Sequence, residues 1–261
     1  MLYLYSNTIS RSFLGAPLWY YSRYSGGGTN PHQIAVLFCG IAFWFTSQFI
    51  KKKNRFRNAI LFILAVFLES ETKSSTGLAA IVAGLFVLVI ILTVNRVESK
   101  YKRTAYLIFE GVISLLVAVL FYHKIYDVLY EWVANDSNGL GRFYIWSSFK
   151  AAFIKSPIFG LGPGMHAISY SGMKEFHNSY LEIIAATGII GFLAFAIMTY
   201  QSVKKIVIGD RTLLPILFSL YMYSMAGFAF RRLAYWIVYV FIVALAMRSV
   251  EVNYSGDQQC E

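Results

Sequence analysis

His177 and Asn178 stand at the mouth of an apolar stretch, Tyr180–Tyr200, that is long enough to cross a bilayer. An imidazole with an ordinary pKa of about 6.5 suits proton transfer at neutral pH, which makes His177 a candidate general base. The same pair has a structural reading, in which Asn178 or Ser179 caps the following helix. Arg142 is the second candidate. Its guanidinium fork can grip a phosphate or diphosphate through two parallel hydrogen bonds; the alternative is an interfacial arginine touching lipid phosphate. Lys73, in SETKSSTG, follows a short apolar run. If that run ends inside the membrane, Lys73, Ser74 and Ser75 line a buried polar cavity; otherwise they form a solvated loop. Arg231 and Arg232 lie between two apolar stretches. They either snorkel to the interface or add positive potential to the same cavity.

Other chemistries find little support. His32, His123 and His166 share no metal-like spacing with each other or with carboxylates, so no metal site is expected. There is no HExxH, P-loop or GxGxxG, and GLGPG (160–164) lacks the Lys-Ser/Thr of a phosphate loop. No ATP site and no cofactor are expected, and any reaction draws its energy from a substrate that arrives activated. Glu182 is five residues beyond His177, about 140° round a helix, and is not an obvious partner for it. Cys39 falls inside an apolar stretch and Cys260 in the tail, which gives no disulfide framework.

The elements that must position these residues are membrane helices. The chain is 57% hydrophobic and only 14% charged, where soluble domains carry about 25% charged residues. Its mean hydropathy is +0.56. Apolar windows occur at Gln33–Ile50, Gly77–Val94, Thr104–Tyr122, Tyr180–Tyr200, Thr212–Phe230 and Leu233–Met247. A further one, Ala59–Leu68, is too short to cross unaided. The windows are separate and near span length, so the expected fold is all-α: a polytopic transmembrane bundle of six to seven spans, in one domain over residues 1–261. Strands of a barrel would alternate instead.

The net charge of +10 is spent on topology, not on nucleic acid. Lys51, Lys52, Lys53, Arg55 and Arg57 form one cluster; Arg96, Lys100, Lys102 and Arg103 a second; Lys204, Lys205 and Arg211 a third. These loops are two spans apart each time, the positive-inside pattern, which places them in the cytoplasm. Glu69–Thr76, residues 123–179 and the turn at Arg231–Arg232 then face outward. The long outer loop carries an interfacial segment, IYDVLYEWVANDSN, broken at Gly139 and Gly141. A second helix follows from Arg142 to Ser156, stopped by Pro157, and GLGPG turns the chain back toward His177. Residues 1–32 hold no span and no signal peptide, yet this topology puts them outside. Spans missing upstream are therefore expected.

Three motifs carry a resemblance. GRFYIW (141–146), SPIFGLGPG (156–164) and HNSYLEIIAATGIIGF (177–192) resemble, in order and spacing, the O-antigen ligase and polymerase family: a Gly-Arg…Trp element, a Ser-Pro…Gly-x-Gly turn, and His-Asn followed by nine residues and Gly. GGGTNPHQIA (26–35) is similar to the family's Gly-rich, Asn-Pro lead-in, with His32 where Asn is more usual. KSST (73–76) replaces a Ser-Arg that members often carry, leaving Lys73 as the nearest cation.

The resemblance implies a glycosyltransferase in the bacterial inner (cytoplasmic) membrane, with its site on the outer face. Its donor is an undecaprenyl-diphosphate-linked oligosaccharide and its acceptor a glycan or lipid hydroxyl, with membrane lipid as the surrounding partner and neither nucleotide sugar nor metal. In that scheme His177 is the base and Arg142 holds the diphosphate. Asn178, Lys73, Arg231 and Arg232 assist in binding. Polymerase and ligase differ in acceptor, and an aromatic-rich chain leans toward polymerase. Two rival readings stay open: a flippase for the same lipid-linked glycans, and an inactive fragment. A flippase predicts charges deep in several spans and repeat symmetry, whereas only Glu110 lies well inside a window and no repeat is present.

Overall fold

Helices dominate the computed structural model, which describes residues 1–28, 30–95, 145–164, 176–225 and 229–258, together with 101, 111–112, 119–120, 123, 127 and 227. The chain divides into two compact units. Unit 1 is Met1–Leu88 with Ala194–Glu261, and unit 2 is Val89–Leu193.

Unit 1 begins with a short helix, α1 (Leu2–Thr8), and two antiparallel pairs, β1 (Ser12–Phe13) with β2 (Ala16–Pro17) and β3 (Trp19–Tyr20) with β4 (Arg23–Tyr24). These strands are an addition to the all-α expectation. Their rings form a cluster: Tyr3 meets Tyr24 edge-on at 5.2 Å and Phe67 at 5.4 Å. The leading segment is thereby fastened to the third helix.

Helix α2 (Pro31–Ile50) starts where the composition says it must. Asn30 Oδ1 accepts the His32 N–H (2.9 Å), and Pro31 occupies the first turn, where its missing N–H costs nothing. Its buried face, Ala35, Val36, Cys39, Ala42 and Phe43, repeats at helical spacing. Against it pack Ile216, Leu217 and Leu220 of α7 (Leu214–Ser224) and Tyr235 and Ile242 of α8 (Leu233–Gln258). Small residues let the helices approach: a Cβ on Gly40 would lie 2.8 Å from Val238, and one on Gly84 2.2 Å from Phe43. The outer faces are the reverse of a soluble protein's, with Phe56, Ile63, Val82, Phe86 and Val240 all exposed.

Among the described residues four helices are long and apolar enough to cross a membrane: Pro31–Ile50, Ser75–Val94, Ser179–Gly209 and Leu233–Glu251. Six or seven were expected over the whole chain, and two of the expected windows take another form among the described residues. The Ala59–Leu68 run is the middle of a longer helix, α3 (Arg55–Glu71), about 25 Å long. Polar residues extend it at both ends, so the supposed outer loop Glu69–Thr76 shrinks to Thr72–Ser74 before α4 (Ser75–Asn95). The Thr212–Phe230 window is interrupted. After a 3-10 turn at Arg211–Leu213, α7 supplies only eleven residues. The Thr104–Tyr122 window and the IYDVLYEWVANDSN segment fall almost wholly outside the described residues.

Unit 2 contains α5 (Phe149–Lys155) and the first part of α6 (Ser179–Gly209); the rest of α6 belongs to unit 1. The second outer helix expected over 142–156 is present in its described part, with a turn at Ser148.

Candidate active site

His177 is held from both sides. Before it, Phe176 is fully buried with Ile145, Ala152 and Ala185. Its ring meets Phe149 edge-on at 5.9 Å, and its carbonyl accepts the Trp146 indole N–H. After it, Asn178 Oδ1 accepts the backbone N–H groups of Tyr180 (3.0 Å) and Leu181 (3.2 Å), the N-cap of α6. Between these anchors His177 adopts φ +52° and is half-buried. A non-glycine residue in the left-handed region costs about 1–2 kcal/mol and persists only where its surroundings over-determine it. The cap reading of Asn178 is therefore correct for its carbonyl oxygen. The GRFYIW motif contributes Trp146 as the fastening for His177's neighbour. Glu182, in the first turn of α6, is buried.

Ten residues into α6 the helix breaks. Gly188 has φ +64° and ψ −164°, and the segment 157–162 inserts its backbone there. Leu161 N–H donates to the Ala185 carbonyl (2.8 Å) and Gly162 N–H to that of Ala186 (2.9 Å). Ile189 N–H donates to the Pro157 carbonyl (2.9 Å) and Ile190 N–H to that of Ile158 (3.3 Å). In an unbroken helix Ile189 and Ile190 would bond Ala185 and Ala186 themselves. The inserted segment thus supplies a substitute for each lost partner, which a break inside hydrocarbon requires. Gly160 makes the approach possible: a Cβ there would lie 2.3 Å from the Ala186 carbonyl carbon. GLGPG is therefore more than the turn expected of it. Its first half, with Pro157 and Ile158, completes α6.

A second polar group lies within unit 1, around the α3–α4 turn. Arg23 donates through Nε to the Thr72 carbonyl (2.9 Å) and through Nη2 to that of Lys73 (2.8 Å). Its Nη2 is also 3.4 Å from His32 Nε2, while His32 Nδ1 is 2.9 Å from Ser74 Oγ. Ser74 Oγ in turn accepts the Gly77 N–H (3.2 Å) and so caps α4. The Tyr223 hydroxyl donates to the His32 carbonyl (2.8 Å). Lys73 itself is exposed, with φ +48°. Arg231 is exposed on a 3-10 turn; Arg232 is buried, with Nη1 lacking a hydrogen-bond partner among the described residues.

Sequence reasoning missed Arg23 and Glu69 and gave His32 no role. Replacing Arg23 by Ala strips two carbonyls of a left-handed turn of their donors. The expected cost is about 2 kcal/mol, read by denaturation in detergent. Lys73→Gly is expected to stabilise by about 1 kcal/mol in the same assay, because only the φ penalty is removed. Glu69 is fully buried, and neither carboxyl oxygen has a hydrogen-bond partner among the described residues. It fills the space left by Gly77, whose Cβ would lie 2.0 Å from Glu69 Oε1. Gly77→Ala is expected to destabilise, because the fully buried Glu69 carboxyl must shift, and adding Glu69→Ala to recover most of the loss. Glu69→Gln, similar in shape and uncharged, is expected to fold normally, since an unpaired buried charge contributes nothing favourable.

Of the residues singled out from sequence, unit 2 joins His177 and Asn178, while Arg142 lies outside the described residues. Lys73, Arg231 and Arg232 belong to unit 1. Among the described residues no three of His, Cys, Asp or Glu are grouped to hold a metal.

A mostly helical chain with several membrane-crossing helices, one of them broken and completed by a returning loop, defines a polytopic membrane protein with a polar site at the broken helix's N-terminus. The family model described as O-antigen ligase matches residues 58–196, just over half of the 261. The chain belongs to the O-antigen ligase family, whose members act as glycosyl-transferring membrane proteins in polysaccharide assembly on lipid-linked oligosaccharides and acceptor glycans. No curated protein matches it.

Proposed function

We propose that the protein transfers a glycan from an undecaprenyl-diphosphate carrier to an acceptor sugar hydroxyl, as a polymerase of surface polysaccharide, at the outer face of the bacterial inner membrane. His177 takes the proton of the acceptor hydroxyl, and the oxygen attacks the anomeric carbon of the donor. The bond from that carbon to the diphosphate oxygen breaks, and the lipid diphosphate leaves with the electron pair. Arg142 pairs with the charge that gathers on it, so no nucleotide sugar or metal is needed. The observation that carries this reading is the backbone of His177. A left-handed histidine is fixed between a buried phenylalanine and a helix cap, at the head of a broken helix. The cap itself is made by Asn178, so His177 is not needed for it.

Lys73, Arg231 and Arg232 supply further anion-binding groups in unit 1, and Asn178, beyond its cap, offers an amide for sugar hydroxyls. The deciding experiment mixes purified protein in detergent with lipid-diphosphate oligosaccharide. Longer glycan and free lipid diphosphate, formed with no membrane present, are expected. Unchanged donor under conditions where the protein is folded would instead favour a flippase for the same lipid-linked glycan.

A further inference from the structure

At the end of unit 1 that carries Lys51, a cavity of about 380 Å³ is lined by Trp44, Lys51, Asp210, Leu245, Arg248 and Ser249. Its Asp210 is held by a chain of hydrogen bonds. The hydroxyls of Ser47 and Thr212 are 2.6 Å apart, and Thr212 donates both its hydroxyl (2.6 Å) and its N–H (3.1 Å) to Asp210 Oδ1. Asp210 Oδ2 pairs with the Lys51 ammonium. Two cations and one carboxylate leave the cavity with a net charge of about +1, and the exposed Arg248 guanidinium has no ion-pair partner among the described residues. A monoanionic phosphodiester would bring the cavity to neutrality, with Arg248 presenting a fork and Lys51 its remaining donors.

The cavity opens beside an apolar face. The Trp44 ring meets Phe241 edge-on at 5.4 Å, and Phe241, Ile237 and Val240 are each at least half exposed on α8, a helix long enough to cross the membrane. A tryptophan between a cationic pocket and an apolar helix face marks headgroup depth. Lys52, Lys53, Arg55 and Arg57 follow Lys51 directly in the chain. Such a cation-rich end belongs to the leaflet facing the cytoplasm, where anionic lipids are attracted to basic segments. A free phosphate would use only the cationic half of this surface. We infer that the cavity binds one anionic phospholipid of the phosphatidylglycerol type, its phosphodiester on Arg248 and Lys51 and its acyl chains along Phe241 and Ile237. This site is independent of the transfer reaction proposed above.

The test uses full-length protein, purified in mild non-ionic detergent and stripped of lipid. Thermal unfolding is followed with added phosphatidylglycerol, phosphatidylethanolamine or inorganic phosphate. Phosphatidylglycerol alone is expected to raise the unfolding temperature. Arg248→Gln is expected to weaken its apparent affinity about tenfold. Lys204→Gln, an exposed cation that does not line the cavity, is expected to leave it unchanged. Mass spectrometry of the unstripped wild-type protein is expected to find phosphatidylglycerol retained about one to one. Equal loss in both variants would reduce the effect to general charge and overturn the site. So would an equal response to inorganic phosphate or phosphatidylethanolamine, or no response in the wild type.

Discussion

Replacing His177 by alanine is expected to abolish long-chain surface glycan while leaving the protein in the membrane. General-base catalysis by a positioned side chain contributes about 10²–10⁴-fold. Glycan transfer by the purified variant should therefore fall by about that factor, with donor binding retained. The structural side of the substitution is mild. Phe176 stays buried and fastened by Trp146, and Asn178 still caps α6. Alanine also tolerates φ +52° no better than histidine, so no strain is relieved. His177→Gly separates the two roles. It removes the strain and the base together, so it should raise stability by about 1 kcal/mol and still fail in transfer. Arg142→Ala is expected to lose about 10²–10³-fold, the scale on which transition-state charge stabilisation acts. Arg142→Lys should recover part of that through charge alone, without the bidentate fork. A normal chain-length ladder from either alanine variant would count against the assigned role.

The order of helices was legible in the sequence wherever an apolar window was long and closed by polar caps. Asn30–Pro31 marked the start of α2 and Asn178–Ser179 that of α6, because capping chemistry is local. Window reasoning gave only the middle of α3 and did not show the interruption of α7. In α3 the charged ends are helical but not apolar, so hydropathy saw only the middle. In α7 the apolar run continues while the backbone passes into 3-10 turns. The site was legible as residue types and illegible as contacts. His177 was evident from its place before a span, but nothing local indicates that Trp146, 30 positions before Phe176, bonds the Phe176 carbonyl next to it. Arg23 and Glu69 were passed over for a related reason. Arg23 acts on carbonyls 49 and 50 residues away, and Glu69 reads as the polar end of a loop until the helix carries it inward. A glycine eight residues on, at Gly77, was the available hint, and it acquires meaning only once Glu69 Oε1 is known to fill its missing Cβ.

Substitution of Gly188 by alanine is expected to be the most damaging single methyl in unit 2. The new Cβ would lie 2.1 Å from the Ile158 carbonyl oxygen and 2.3 Å from its carbon. Those are backbone atoms, which cannot rotate away as a side chain can. The residue would also keep φ +64°, at a further cost of about 1–2 kcal/mol. Relief comes only by expelling the 157–162 segment, and then four backbone groups, the carbonyls of Ala185 and Ala186 and the N–H groups of Ile189 and Ile190, must find each other again. A straightened α6 would satisfy them but leave the segment's own donors and acceptors stranded, each costing several kcal/mol if they remain in lipid. Gly160→Ala meets the same interface from the other side, 2.3 Å from the Ala186 carbonyl carbon and 2.4 Å from the Thr187 nitrogen, and should behave alike. Gly164→Ala is the matched control: its φ is +78°, yet nothing among the described residues lies within 4 Å of its Cβ. Thermal unfolding in detergent should rank Gly164→Ala as mild, by the φ penalty alone, and the other two as severe. Cysteine labelling completes the test. A cysteine at Phe159, already 73% exposed, should react alike in all backgrounds, whereas one at Leu161 should gain reactivity with Gly188→Ala. Equal stability of all three alanine variants would mean that the break does not depend on the inserted loop, and that the coupling of SPIFGLGPG to the His-Asn…Gly motif has another cause.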